Sequence, residues 1–246
     1  MKRRLLAIAV GALALTCLVP AMAQVKAAKP LKIVVYGGSG MIGSRIVTEA
    51  AARGHQVMVV DRSPKAGLAP KGVHVMTGDV FDPADVSRNI AGQDVLVTAI
   101  AVRPAPTRDF YVRMVKVSVE AQRAQKGTPK TRLMVVGGAS SLNNADGKRI
   151  IDTFPANMPE GAANEIRSMV EALDYLRTVT DTSWTFFSPA GGISPGQRTG
   201  KFRVGGDSLL SDANGKSWIS MEDYAIALAD EVEAPKNSRK RFTVGY

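Results

Sequence analysis

Cysteine is nearly missing from this sequence. The one residue, Cys17, lies in an apolar run near the N-terminus, so a chain without that run has no thiol. It can then form no disulfide, no thiolate metal site and no cysteine nucleophile. Histidine is almost as scarce: His55 and His74 are too few for a histidine cluster, and no metal is expected. Aromatic residues make up 6% of the chain and do not interleave with a basic stripe, which argues against nucleic acid as a partner. Acidic residues are the minority, 22 against 32 Lys and Arg, for a net charge of +10. The basic residues are scattered apart from Arg239-Lys240-Arg241, so the excess suits anionic small molecules or solubility. No apolar run reaches the roughly 20 residues that a membrane-spanning helix needs.

What is present starts with an export signal. Lys2, Arg3 and Arg4 precede the apolar Leu5 to Val19, and Ala21-Met22-Ala23 gives a small-x-small cleavage site, so residues 1–23 read as a signal peptide. Thr16 stands before Cys17 where a lipoprotein signal places a small Gly or Ala, which argues against lipidation. Export to a bacterial periplasm is the expectation. An uncleaved N-terminal anchor and a cytoplasmic protein are the alternatives. Cleavage before Gln24 leaves 223 residues with a net charge of +7, enough for one domain, residues 24–246, with a sizeable core. No stable membrane insertion is expected after cleavage, and the protein is read as a monomer or homodimer.

Strands and helices then alternate. Leu31 to Tyr36 is a β-branched apolar run, the pattern of a strand buried on both faces. Met41 to Arg53 places Ile42, Ile46, Val47 and Ala50 on one helical face, and Gly54 stops it. Gln56 to Val60 and Val73 to Met76 read as the second and third buried strands. Pro83 to Ile90 is a short helix behind Asp82 as N-cap. Asp94 to Ile100, Asp109 to Gln125 and Arg132 to Val136 give strand, helix and strand, the last entered after Pro129. Gly147 to Pro159 reads as an irregular loop, and Glu160 to Thr178 as an amphipathic helix carrying Ile166, Met169, Val170, Leu173 and Leu176 on one face. Trp184 to Phe187 is a sixth strand. Ser188 to Arg198 is rich in Gly and Pro and reads as loop. Lys201 to Val204 and Ser217 to Ile219 read as short strands around the turn Asp212 to Gly215. A helix capped at Ser220 runs to about Val232, and Arg241 to Val244 closes the chain. The alternation predicts an α/β fold: a Rossmann-type doubly wound parallel sheet, helices on both faces, with a small C-terminal extension on the substrate side.

The chemistry gathers at strand ends, where such sheets bind ligands. Gly37-x-x-Gly40-x-x-Gly43 links the first strand to the first helix. Gly37 permits a tight turn, Gly40 lets backbone approach a pyrophosphate, and Gly43 lets the helix pack closely. Ser39, Met41 and Ile42 share the turn, and the N–H groups at the helix start face the phosphates. Asp61 ends the next strand, 18 residues past Gly43, which meets the context of a dinucleotide site. Asp61 suits the ribose hydroxyls of NAD, and Arg62 the 2′-phosphate of NADP. Lys65 adds charge that tips the reading toward NADP over NAD. Otherwise Asp61 caps a turn and Arg62 is solvated. Asp79 and Val80 fall at the adenine edge, unless Asp79 is a simple turn aspartate, and Ala99, Ile100 and Ala101 form a wall beside the ribose. Gly138 and Ser140 end the fifth strand where the nicotinamide lies, with Ser140 either the weak candidate for contact with the substrate or carboxamide, or a loop serine satisfied by its own backbone. Pro189, Ala190, Gly191 and Ile193 close over the nicotinamide. Phe154 either stacks on the acceptor or anchors its loop in the core.

At these residues the chain resembles the short-chain dehydrogenase/reductase superfamily. It is most similar to the atypical, NmrA-like branch with the NADH-flavin reductases and biliverdin reductase B-like proteins. GGSGMIG at 37–43, Asp61-Arg62-Ser63-Pro64, GDVFD at 78–82 and VVGGASSL at 135–142 carry the resemblance. WTFFSPAGGISPGQRTGKFRVG, SWISMEDYAIAL and RFTVGY extend it over the C-terminal half. It implies reduction of a flavin, quinone or similar planar acceptor by NAD(P)H, with flavin as substrate. In that branch an Arg at the place of Arg62 often reads the 2′-phosphate; Asp61 departs from the pattern. The Tyr-x-x-x-Lys acid pair of the superfamily's alcohol dehydrogenases is absent, since Tyr111, Tyr175 and Tyr224 have Val115, Val179 and Leu228 four residues on. The alternative is a non-enzymatic NAD(P)-binding sensor or interaction protein.

Overall fold

The computed structural model describes residues 29–64, 69–102, 105–127 and 130–246. The signal peptide, Lys65 and Pro129 lie outside the described residues. Among the described residues, no helix is long and apolar enough to cross a membrane.

Eight strands form one sheet in the order β3-β2-β1-β4-β5-β6-β10-β8. They are β1 Lys32–Tyr36, β2 Gln56–Asp61, β3 His74–Thr77, β4 Val95–Thr98, β5 Arg132–Val136, β6 Trp184–Ser188, β8 Arg203–Gly205 and β10 Lys240–Gly245. Every pairing is parallel except that of β8 with β10. Val35 pairs with Val59 on one side and Val97 on the other, which puts the reversal of strand order at β1. Helices α1 Met41–Ala52 and α5 Met221–Glu233 cover one face; α2 Pro83–Ile90, α3 Phe110–Ala124 and α4 Glu160–Thr178 cover the other.

The strands belong to two cores because alternate residues point to opposite faces. Val35, Val97 and Phe187 pack toward α1 and α5, while Val34, Tyr36, Leu96 and Phe186 pack toward α2, α3 and α4. Each buried side chain of this size contributes about 1.5–3 kcal/mol. On the first face Phe187 stacks between Tyr224 and Phe242, with ring centroids 4.0 Å apart on each side. The Tyr224 hydroxyl donates to the Phe187 carbonyl at 2.7 Å, which satisfies the one polar atom the stack buries.

Two expectations are corrected. β3 is not a buried strand: it is the edge of the sheet, and all four of its residues are exposed. The Gly-Pro segment after β6 is not all loop, because β7 Gly192–Ser194 pairs in parallel with β9 Trp218–Ser220. The two short strands flanking the Asp212 to Gly215 turn are present, and their partners lie elsewhere: β8 joins β10, and β9 joins β7. Strands of three residues carry too little periodicity to choose a partner; the surrounding sheet chooses it.

Candidate functional site

The carboxyl ends of β1 to β4 surround a cleft of about 420 Å³. Each strand delivers its expected residues there: Gly37, Ser39 and Gly40 from β1, Asp61 and Arg62 from β2, Asp79 and Val80 from β3, and Ala99, Ile100 and Ala101 from β4. Tyr36, Val60, Ser63, Gly78, Phe81 and Phe110 complete the lining. Phe81 and Phe110 meet edge to face at 4.8 Å and form an aromatic wall at one end.

The glycine turn is built by close approach. Gly37 has φ +82°, and a Cβ there would lie 2.7 Å from the Ala99 carbonyl oxygen. At Gly43 a Cβ would lie 2.1 Å from the Gly37 carbonyl oxygen, so α1 starts against the turn itself. No side chain caps α1 and its first turn has no acid, which leaves its first N–H groups open to an anion. Met41 stands 67% exposed at the mouth, whereas Ile42 packs on the core.

Asp61 and Arg62 divide their work. The Asp61 carboxylate turns under the glycine turn, and its Oδ2 accepts from the Ser39 backbone N–H at 3.0 Å. Arg62 is exposed at the cleft wall with no ion-pair partner among the described residues.

The remaining expected residues lie outside this lining, at the ends of the next strands across the sheet. Gly138 and Ser140 follow β5 in a short 3-10 turn, Ala139–Ser141. Ser140 is half-buried and its hydroxyl has no hydrogen-bond partner among the described residues, whereas Ser141 bonds the Gly138 carbonyl. Pro189 and Ala190 are buried after β6, and Ile193 packs against the core. Gly191 is exposed, and its N–H donates to Ser217 Oγ at 2.8 Å. Phe154 does not anchor its loop in the core; it is 37% exposed and outside both apolar clusters. A second tie escaped the sequence reading. Arg241 on β10 is buried, grips the Asp207 carboxylate and carbonyl, and reaches Ser141 at 3.4 Å.

A strap, Pro195 to Phe202, follows β7 and is tied down by three carboxylates. Glu49 on α1 receives Arg198 through two bonds of 2.9 Å, Glu222 accepts from the Gly196 N–H at 2.8 Å, and Asp223 accepts from the Thr199 and Gly200 N–H groups at 2.8 and 2.9 Å. Burial pushes the Glu49 and Asp223 carboxyls up, but their hydrogen bonds outweigh it and hold both below the ordinary carboxylate range; Arg198 and Arg53 do this for Glu49, Thr199, Gly200 and Tyr246 for Asp223. A depressed folded value means stability that is full above the unfolded value and lost as pH falls through the folded one. The urea midpoint should therefore hold above about pH 5 and decline below about pH 4. Glu49→Gln should show a shallower decline across that window. An equal slope in the variant would remove Glu49 from the effect.

Four of the cleft's features were legible as motifs, but Tyr36 in its lining and Asp85 and Asn89 beneath it were not. Asp85 accepts from the Tyr36 hydroxyl at 3.2 Å and from the Asn89 amide, and burial pushes the Tyr36 phenol well up. The available signal was the spacing of Asp85 and Asn89, four apart on one helical face.

Comparison with known proteins agrees with this geometry. A family model for NAD(P)H-binding domains matches residues 37–235. A candidate exported protein from Burkholderia pseudomallei is 42% identical, with a TM-score of 0.75 over 88% of this chain and 100% of that one. A candidate epimerase from Bacteroides thetaiotaomicron is 35% identical, with a TM-score of 0.77 over 89% and 98%. SP1627 from Streptococcus pneumoniae TIGR4, a candidate NADH-flavin reductase, is 29% identical, with a TM-score of 0.75 over 87% and 99%.

Proposed function

This chain belongs to the NAD(P)H-binding family, and on that premise we propose that it is an NAD(P)H-dependent oxidoreductase that reduces a planar acceptor such as a flavin or quinone. The observation that carries the reading is the cleft itself. One cavity joins the glycine turn, the Asp61-Arg62 corner, Asp79-Val80 and the Ala99 to Ala101 wall.

The residues fit a dinucleotide. The glycine turn and the N–H groups of Met41, Ile42 and Gly43 receive the pyrophosphate. Arg62 and Ser63 receive the 2′-phosphate, and Asp79 and Val80 the adenine. Gly138, Pro189, Ala190, Gly191 and Ile193 bound the nicotinamide end, with Ser140 beside the acceptor. When bound, the dinucleotide supplies hydride; the protein supplies position and a partly dry surface.

NADP is the favoured form. Asp61 spends one carboxylate oxygen on the Ser39 N–H, while Arg62 is unpaired among the described residues. Arg62→Ala should weaken NADPH binding about 10- to 100-fold, the worth of a charge-assisted bond, and change NADH by less than about threefold. A parallel loss for both nucleotides in a fluorescence titration would remove Arg62 from phosphate recognition.

An acceptor that takes hydride without a protein acid suits this chain. The hydroxyls of Tyr36, Tyr111, Tyr224 and Tyr246 all bond within the protein, and Tyr175 carries Lys116 over its ring between α4 and α3. Interconversion of an alcohol and a ketone would need an acid–base pair that this chain does not place in Tyr-x-x-x-Lys form. The test is titration with NADPH and NADH, followed by turnover with FMN, riboflavin and quinones. Binding with turnover supports the reductase. Binding without turnover for any acceptor supports a dinucleotide sensor, and no binding overturns both. Residues 1–23 we read as an export signal, in keeping with the description of the Burkholderia protein.

A further inference from the structure

Beneath the cleft lies a buried carboxylate that pyrophosphate binding does not require. Asp85 lies in the first turn of α2 and is 7% exposed. Its Oδ1 accepts from the Tyr36 hydroxyl and the Asn89 amide, and that amide also donates to the Tyr36 oxygen at 2.9 Å. Its Oδ2 accepts from the backbone N–H of Asp79 at 3.0 Å. Arg88 stands 3.5 Å away at the rim. A buried charge persists only where hydrogen bonds compensate its lost hydration. Here the donors come from the end of β1, the next turn of α2 and the segment after β3. Gly78 is packed onto the same group and onto β2, since a Cβ there would lie 2.8 Å from both carboxylate oxygens and 2.6 Å from Val60 Cγ1.

The Asp79 N–H is the point of interest. Asp79 lines the cleft, and its Oδ1 accepts from the Phe81 N–H at 3.0 Å. Its Oδ2 has no hydrogen-bond partner among the described residues. The side chain is thus fixed locally by Phe81, and its backbone is fixed from below by Asp85.

We infer that Asp85 is a positioning residue for base selection: by holding the Asp79 backbone it fixes a carboxylate acceptor that favours a 6-amino purine over a 6-oxo purine. The inference rests on the reading of the cleft as a dinucleotide site. A carboxylate accepts and does not donate. An exocyclic amino group satisfies it, whereas a 6-oxo group presents a second acceptor and leaves the carboxylate unpaired. Sites built around such a bond reject the analogue strongly, provided the acceptor is held in place.

The test compares NADPH, its reduced hypoxanthine analogue and reduced nicotinamide mononucleotide, which has no purine, by fluorescence titration. The wild-type protein should bind NADPH at least about tenfold more tightly than the hypoxanthine analogue. Asp85→Ala should bring that ratio to within about twofold of unity, with the mononucleotide constant unchanged. Asp85→Asn keeps an oxygen that can accept from the Asp79 N–H, and should retain most of the ratio. Should Asp85→Ala not fold, Gly78→Ala reports instead, because its methyl crowds the carboxylate, along with Val60, without removing it, and the ratio should fall in the same direction. A preserved ratio in Asp85→Ala or Gly78→Ala, or no base preference in the wild type, overturns the inference while the dinucleotide site stands. If the wild type binds none of the three, the site reading fails and this inference falls with it.

Discussion

Gly43→Ala should weaken dinucleotide binding by on the order of 100-fold and lower the unfolding midpoint by roughly 3–10 °C. The added methyl would lie 2.1 Å from the Gly37 oxygen, 2.9 Å from the Gly37 carbonyl carbon and 3.0 Å from Gly38 Cα. All three are backbone atoms, so no side chain can swing away. Relief requires α1 to lift off the turn, which carries its N–H groups away from the position where they converge. Overpacking of this kind costs about 1–3 kcal/mol. Gly54→Ala is the contrasting substitution. Its backbone also has positive φ, +84°, but nothing stands within 4 Å of the new methyl. It should cost about 1–2 kcal/mol and leave binding unchanged. Equal binding constants for Gly43→Ala and the wild type, measured by NADPH fluorescence, would mean that the turn does not hold the pyrophosphate.

Asp223→Ala should be the most destabilising single change at the strap. The carboxylate is fully buried at the start of α5 and accepts from two backbone N–H groups, the Thr199 hydroxyl and the Tyr246 hydroxyl. Truncation leaves the Thr199 and Gly200 N–H groups without their acceptor and opens a cavity where the buried carboxylate stood, whereas the Tyr246 and Thr199 hydroxyls keep Ser220 Oγ and the Lys201 carbonyl. The expected cost is about 3–5 kcal/mol, or roughly 10 °C in melting temperature. The strap should also loosen before the rest of the fold. Limited trypsin digestion reports this directly, because Arg198 and Lys201 both lie within it. Cleavage after these two residues should accelerate about tenfold or more relative to the wild type. Unchanged cleavage together with an unchanged melt would show that Glu49 and Glu222 hold the strap without Asp223.

The sequence disclosed most of the framework because its elements are long and regular. Glu160–Thr178 and Pro83–Ile90 have the expected bounds, the second with Asp82 accepting from the Ala84 N–H as N-cap. The cleft was legible for a related reason: ligands sit beyond strand ends, so locating the strands located Gly37, Asp61, Asp79 and Ala99. What failed to show depends on contacts distant in sequence. β3 has the apolar composition of an interior strand, and only the order of the sheet leaves it at the edge. The partners of β7, β8 and β9 are set by packing around three-residue segments. Asp85 reads in sequence as an ordinary acid in a first helical turn; its burial comes from Tyr36, 49 residues earlier. Asp61 was recognised as a chemical group, but its rotamer was not, and the rotamer decides what its carboxylate touches.

That rotamer bears on any effort to re-engineer nucleotide preference. Asp61 belongs mechanically to the glycine turn through its bond to Ser39, so altering it would disturb every nucleotide at once. Arg62 and Ser63 border the same cavity with no such duty among the described residues. The selectivity handle and the structural brace are adjacent in sequence but separable, and the handle can be exchanged while the brace is left alone.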